Sequence, residues 1–163
     1  MKKKKADRLF IKLEKKLKKN VAEKKKKAEQ EKKRDKELIE FMVAFQKMIV
    51  ELVRPEMKVV LKPFSKKGFE TKINKLEVSK KITMDSSISE SYDIWHPANP
   101  DTVLRIWIEM FDYEPHFAFG YNFNNDKNDL LISKQKAYTL KEFDAGIIQK
   151  VFKKGIKKFL KNS

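Results

Sequence analysis

Few side chains in this sequence are of the types that do catalytic chemistry, and their spacing decides what that chemistry would be. Glu56 after Pro55, followed by Glu70, Thr71 and Lys72, is a spacing that could set two carboxylates and a lysine around a metal ion. The E-x-K part recurs at Glu14, Glu23, Glu31 and Glu56, so it follows from the abundance of lysine rather than from a site. His96 and His116 could meet Asp93, Asp101 or Glu109 in a general acid/base or metal group. His96 lies in WHPANPD, a segment with two prolines, and His116 borders a turn, so both read as turn or surface histidines. The four glycines are isolated at 68, 120, 146 and 155, which leaves no phosphate-cradling loop. The expectation is a protein without enzymatic activity, cofactor or metal.

Charge is the stronger signal. The 163 residues carry 39 Lys or Arg against 23 Asp or Glu, a formal +16. The first 37 residues hold 18 basic and 7 acidic side chains, so +11 of the +16 lies in less than a quarter of the chain. Such asymmetry points to anionic partners, nucleic acid or a membrane surface. Lys outnumbers Arg 35 to 4, although Arg is the side chain suited to bidentate phosphate and guanine contacts, so part of the basicity is attributable to the codon usage of an AT-rich genome.

Two lysine-rich stretches differ in phase. Lys24, Lys25, Lys26 and Lys27 are consecutive, and at 100° per residue they point around nearly the whole helix. That run suits a solvated rod with loose attraction for phosphate, drawing on Lys15, Lys18, Lys19, Lys25 and Lys26. Glu14 to Lys18, Glu23 to Lys27 and Glu29 to Lys33 have the i, i+4 spacing that supports an isolated helix. Near the C-terminus Lys150, Lys153, Lys154, Lys157, Lys158 and Lys161 fall within an arc of about 140° on a helical wheel. Ile148, Val151, Phe152, Ile156 and Phe159 occupy the other side, and no Asp or Glu follows Asp144. This single-sign stripe is the sharper electrostatic footprint. Dipole complementation explains lysines in a last turn but not over three turns.

The aromatic residues cluster as well, nine of the 18 between Tyr92 and Phe123. A small sheet needs an aromatic face as core, yet bases also stack on such platforms. Trp95, Trp107, Tyr113 and Tyr121 carry polar tips and are the candidates for exposure, with Trp95, Trp107 and Tyr121 the candidates for stacking.

These side chains must be positioned by a few elements. Residues 1 to 54 contain neither Gly nor Pro and are rich in Lys, Glu, Leu, Ala and Gln, which predicts one long helix over about 2–53, ended by Arg54 and Pro55. It has a weakly amphipathic stretch from Leu9 to Val21, a polar centre over 22–37 that would act as a spacer of roughly 25 Å, and an apolar root from Leu38 to Val53. Phe10, Leu13, Leu17, Leu38, Phe41, Phe45 and Leu52 share a heptad-like seam able to pair with a partner helix or a second copy.

From 57 onward short β-branched and aromatic segments alternate with turn residues. Candidate strands are 57–63, 69–78 and 81–95; the clearest pair is 102–113 with 116–124, joined through Glu114 and Pro115. NNDKND over 124–129 reads as a turn and LLISKQKAY as an edge strand. Thr139 with Glu142 reads as the capping box of a helix over about 140–161. The fold class expected is α+β: the long helix packed by its C-terminal end on a small antiparallel sheet, with an amphipathic C-terminal helix. The organisation expected is a basic helical arm over 1–37 and an α+β domain over 38–163.

Cysteine is absent, which fits a reducing compartment. Charges interrupt every apolar run near the N-terminus, and no stretch approaches the ~20 apolar residues of a membrane span, so a soluble cytoplasmic protein is expected. The plan, a basic helical arm on a small α+β body in a Lys- and Asn-rich chain, is similar to that of some small phage or mobile-element proteins, including certain anti-CRISPR inhibitors. It is a likeness of plan without a shared motif, and it implies an accessory or inhibitory role. The function expected is binding of DNA, RNA or a nucleoprotein complex through the basic helices. The rival is a coiled-coil interaction module built on the N-terminal helix.

Overall fold

A computed structural model describes residues 2–78, 81–111, 114–124 and 130–162. Tyr113 and most of the NNDKND turn, residues 125–129, lie outside the described residues. The chain is an α+β fold with a long N-terminal helix, a five-stranded antiparallel sheet and a C-terminal helix. Contacts divide it into two compact units, Met1–Glu37 and Leu38–Ser163.

Helix α1 spans Lys2–Met48. Residues 8–37 are exposed without interruption, so this stretch is helical by local preference: strong helix formers and no Gly or Pro. Ion pairs at i, i+4 join Lys19 to Glu23 at 3.9 Å and Lys33 to Glu37 at 3.8 Å. Both place lysine before glutamate, the less favourable order relative to the helix dipole.

The helix does not end at Pro55. A wide π-helical turn, Ile49–Val53, follows α1 and leads directly into α2, Arg54–Lys66. The Arg54 amide donates to the Ile49 carbonyl, five residues back. Proline lacks an amide hydrogen, and its ring crowds the carbonyl four residues earlier. Pro55 falls in the first turn of α2, where a missing amide costs little. The segment 57–63, expected as a strand, is therefore helix. Leu38, Met42, Phe45, Ile49, Val53, Met57 and Leu61 are the buried positions along α1, the π turn and α2, spaced three or four apart throughout. At the C-terminal end of α2, Phe69 N–H bonds Phe64 O at 3.1 Å and Gly68 N–H bonds Ser65 O at 3.3 Å. This pairing requires a left-handed residue, and Gly68 supplies it with φ +85°.

The strands are β1 Glu70–Asn74, β2 Ser89–His96, β3 Asn99–Met110, β4 Phe117–Asn124 and β5 Leu130–Tyr138, in the order β1-β2-β3-β4-β5. β1 and β2 are shorter than the expected strands over 69–78 and 81–95. Alternation sorts the faces. Ile94, Leu104, Ile106, Ile108, Phe117, Phe119 and Phe123 are buried under the helices. Phe45 of α1 meets Phe117 with ring centroids 4.7 Å apart. Lys72, Asp93, Arg105, Asn122 and Ser133 form a register row across the other face.

One polar network lies inside the core. The buried Glu90 carboxylate accepts two bonds from Arg54, at 2.9 and 2.8 Å, one from the Leu76 amide at 3.1 Å, and one from the Tyr92 hydroxyl. Arg54 also donates to the Leu76 carbonyl at 2.8 Å, which ties the segment after β1 to the π turn. Burial, then the adjacent Glu90, push the Tyr92 phenol far above its ordinary range.

Helix α3 spans Ala145–Asn162, five residues later than the expected start. Thr139 and Glu142 do bond, with the Thr139 amide and hydroxyl donating to the carboxylate at 3.0 and 2.9 Å, but in a preceding turn. The helix itself is capped by Asp144, whose Oδ1 accepts the Ile147 amide at 2.9 Å.

Candidate nucleic-acid interface

α3 lies against the sheet along Ile148, Phe152, Ile156 and Phe159, all buried. Phe159 stacks on Phe123 with centroids 5.9 Å apart and rings at 7°. Gly155 sets the closeness of this contact. A Cβ there would lie 3.2 Å from Tyr121 Cγ, 3.4 Å from Ile106 and 3.5 Å from Leu104, so α3 rests over β3 and β4.

Because α3 covers β3 and β4, the helix-facing side of β5 is left beside it as the second wall of a groove. The groove has a volume of about 980 Å³. Lys154, Lys157, Lys158 and Lys161 line it from α3; Lys134 and Lys136 line it from β5. Lys134 pairs in register with Tyr121 and Lys136 with Phe119, which places both lysines on the helix side of the strand. Phe119, Gly120 and Tyr121 of β4 form the floor, with Tyr138, Val151 and Leu160 at its sides. Among the described residues the lining contains no carboxylate.

Local geometry holds the β5 wall close. A Cβ on Gly120 would come within 2.2 Å of the Lys134 carbonyl oxygen and 2.9 Å of Gln135 Cα, so only glycine lets β5 approach β4 this tightly. Lys136 Nζ sits 5.1 Å from the Tyr138 ring centroid, a cation–π contact. Tyr121 and Tyr138 carry phenols that are neutral at neutral pH, and burial raises their pKa further, so the lysines supply the field.

The residues singled out from sequence are distributed as follows. Lys154, Lys157, Lys158 and Lys161 line the groove; Lys150 and Lys153 are exposed on the same helix outside it. Lys15, Lys18, Lys19, Lys25 and Lys26 are exposed on α1 in the other unit. Trp95 and Trp107 are half-buried on the uncovered face of the sheet, whereas Tyr121 is 5% exposed on the opposite face. The three rings form no common platform, and the expectation that Tyr121 is exposed is corrected: α3 covers it.

The seam of seven divides too. Phe10, Leu13 and Leu17 are exposed; Leu38 and Phe45 are buried, and Phe41 and Leu52 pack against the core. The last four are used by the α+β unit and are unavailable to a partner helix.

His96 Nδ1 accepts the Ala98 amide at 3.1 Å, and Asp93 is held by Arg105 at 2.6 and 2.9 Å. Glu56 on α2 accepts from Gln149 at 3.3 Å, while Glu70 opens β1. Among the described residues no three His, Cys, Asp or Glu side chains gather into a metal-binding group. A second hollow, about 310 Å³ on the uncovered face, mixes Arg105 with Glu109 and has no single sign. Lys134 and Lys136 were not among the sequence candidates. Their two-residue spacing in LLISKQKAY was the available signal, since it puts both on one face of a strand.

Among the described residues no helix is long and apolar enough to cross a membrane. Family models, curated proteins and solved structures offer no match to this chain.

Proposed function

We propose that this protein is a non-enzymatic nucleic-acid-binding protein that holds phosphates in the groove between α3 and β5. The observation that carries the reading is the lining of that groove: among the described residues, six lysines on two walls and no acidic side chain. Solvated protein faces usually mix signs; a concave surface of one sign focuses its field on an anionic ligand. Lysine contacts of this kind attract the backbone of any sequence, which suits an accessory role on DNA, RNA or a nucleoprotein. Titration of a labelled oligonucleotide across about 50 to 200 mM salt tests it, because counterion release makes affinity fall steeply over that range. Absence of binding, or binding indifferent to salt, refutes it.

A second reading is favoured by the exposed tip of α1. Phe10 and Leu17 are 73% and 55% exposed, and with Leu13 and Val21 they fall within an arc of about 80°. That stripe suits pairing with a partner helix. Light scattering separates self-pairing from a monomer, and Leu13→Lys with Leu17→Lys abolishes any dimer formed through it.

A further inference from the structure

We infer that the α3–β5 groove takes a single strand of nucleic acid rather than a duplex, with phosphates between the lysine walls and base faces against its apolar edge. The inference rests on the nucleic-acid reading above and specifies its substrate.

The first argument is shape. β4 and β5 are adjacent strands about 4.8 Å apart, and a helix is about 10 Å across. With α3 seated over β3 and β4, its lysine edge and β5 bound a trough narrower than a helix. A duplex is a convex rod carrying its phosphates on the outside, along grooves about 6 and 12 Å wide. It meets a ridge of lysines well and the inside of a narrow trough poorly. One strand enters the trough and is met by cations from both sides.

The second argument is the apolar edge of the groove. A site for phosphate alone needs no apolar surface, yet Leu160 is 62% exposed at the edge of this groove and Val151 is half-buried beside it. Duplex DNA hides its base faces in the stack, whereas a single strand exposes them to apolar and aromatic side chains. The lysines and the apolar edge are complementary to one ligand that carries both kinds of surface.

The third argument is extent. From Lys154 to Lys161 the α3 wall is about 10 Å long at 1.5 Å per residue, room for at most about three phosphates of one strand. The footprint is therefore a few nucleotides. Charge neutralisation by three contacts gives a log–log salt slope of about −2 on a single strand.

The test uses the full chain and fluorescence anisotropy with three probes: a short oligothymidylate, the same strand annealed to its complement, and inorganic polyphosphate. The single strand is expected to bind at least about tenfold tighter than the duplex, the scale of one base contact. Lys134→Glu with Lys136→Glu removes this preference together with most of the binding, and circular dichroism verifies that the variant is folded. Leu160→Ser weakens the oligothymidylate but not polyphosphate. Equal or tighter binding of the duplex overturns the inference while leaving the nucleic-acid reading in place. Polyphosphate binding as tight as the oligothymidylate also overturns it, by showing a phosphate-only site. Failure of every nucleic acid to bind refutes the underlying reading itself.

Discussion

Lys24 to Lys27 and the lysines of α3 are the same side chain on the same kind of helix, arranged in opposite ways. On α1 the run is consecutive and turns around the axis, within a stretch exposed on every side. On α3 each turn gives one edge to lysine and the other to Ile148, Phe152, Ile156 and Phe159. The buried edge fixes where the lysines point, and the neighbouring strand adds two more across a groove. Charge density alone makes a surface attractive to anions; an apolar edge in constant phase with the charge is what aims it.

The contrast can be broken or sharpened by substitution. Phe159→Ala removes a ring stacked on Phe123 and is expected to lower stability by about 3–5 kcal/mol, whereas Phe10→Ala on the exposed stretch changes it by less than about 0.5 kcal/mol. Chemical denaturation reads both, and similar losses would mean that the two helices are held alike. Next in size is binding: Lys154→Glu, Lys157→Glu and Lys161→Glu together are expected to weaken an oligonucleotide complex about tenfold to a hundredfold, at roughly 1 kcal/mol or less per contact. The same three changes at Lys24, Lys25 and Lys26 should cost only a fewfold, and the reverse order would make α1 the principal interface.

Asp144→Ala leaves the first amides of α3 uncapped, with an expected loss of about 1 kcal/mol and faster hydrogen exchange at Ile147. Glu23→Gln removes the partner of Lys19 and should reduce helicity by about 0.2–0.5 kcal/mol, a difference that disappears in high salt. The smallest effect is at Glu142. Its bonds from Thr139 hold its pKa below the usual carboxylate value, so the contribution of that turn is present above the ordinary range and lost as pH falls through the lowered value. The Thr139 amide resonance should follow that titration, and Glu142→Gln should abolish it.

Local pattern carried the helices and the central hairpin, because amphipathic periodicity and strand alternation depend on neighbours in sequence. It failed where distant contacts decide. Met57, Val59 and Leu61 alternate like a strand, but Val53, Met57 and Leu61 also step by four, and packing on the sheet selects the helix. Pro55 reads as a stop because the widened turn before it has no sequence signature. Thr139 gives both its amide and its hydroxyl to the Glu142 carboxylate, half of a capping box and one turn too early, and Asp144 takes the cap. Half of the groove was legible in the phase of the α3 lysines. The other half depends on the pairing of β5 with β4, since alternation groups Lys134 with Lys136 without saying which side of the sheet they occupy.

The widened turn Ile49–Val53 also governs which changes in chain length this molecule tolerates. Deleting one residue there would restore ordinary winding and press the Pro55 ring onto a carbonyl. The change in winding would absorb the lost residue and leave Met57 and Leu61 on the core side, so the cost would fall on Pro55. A substitution at Val50, on the solvent side of the same turn, does none of this. In an alignment of variants, letters would change at Val50 while Ile49 and Val53 stay apolar, and a gap in this turn would go together with the loss of Pro55.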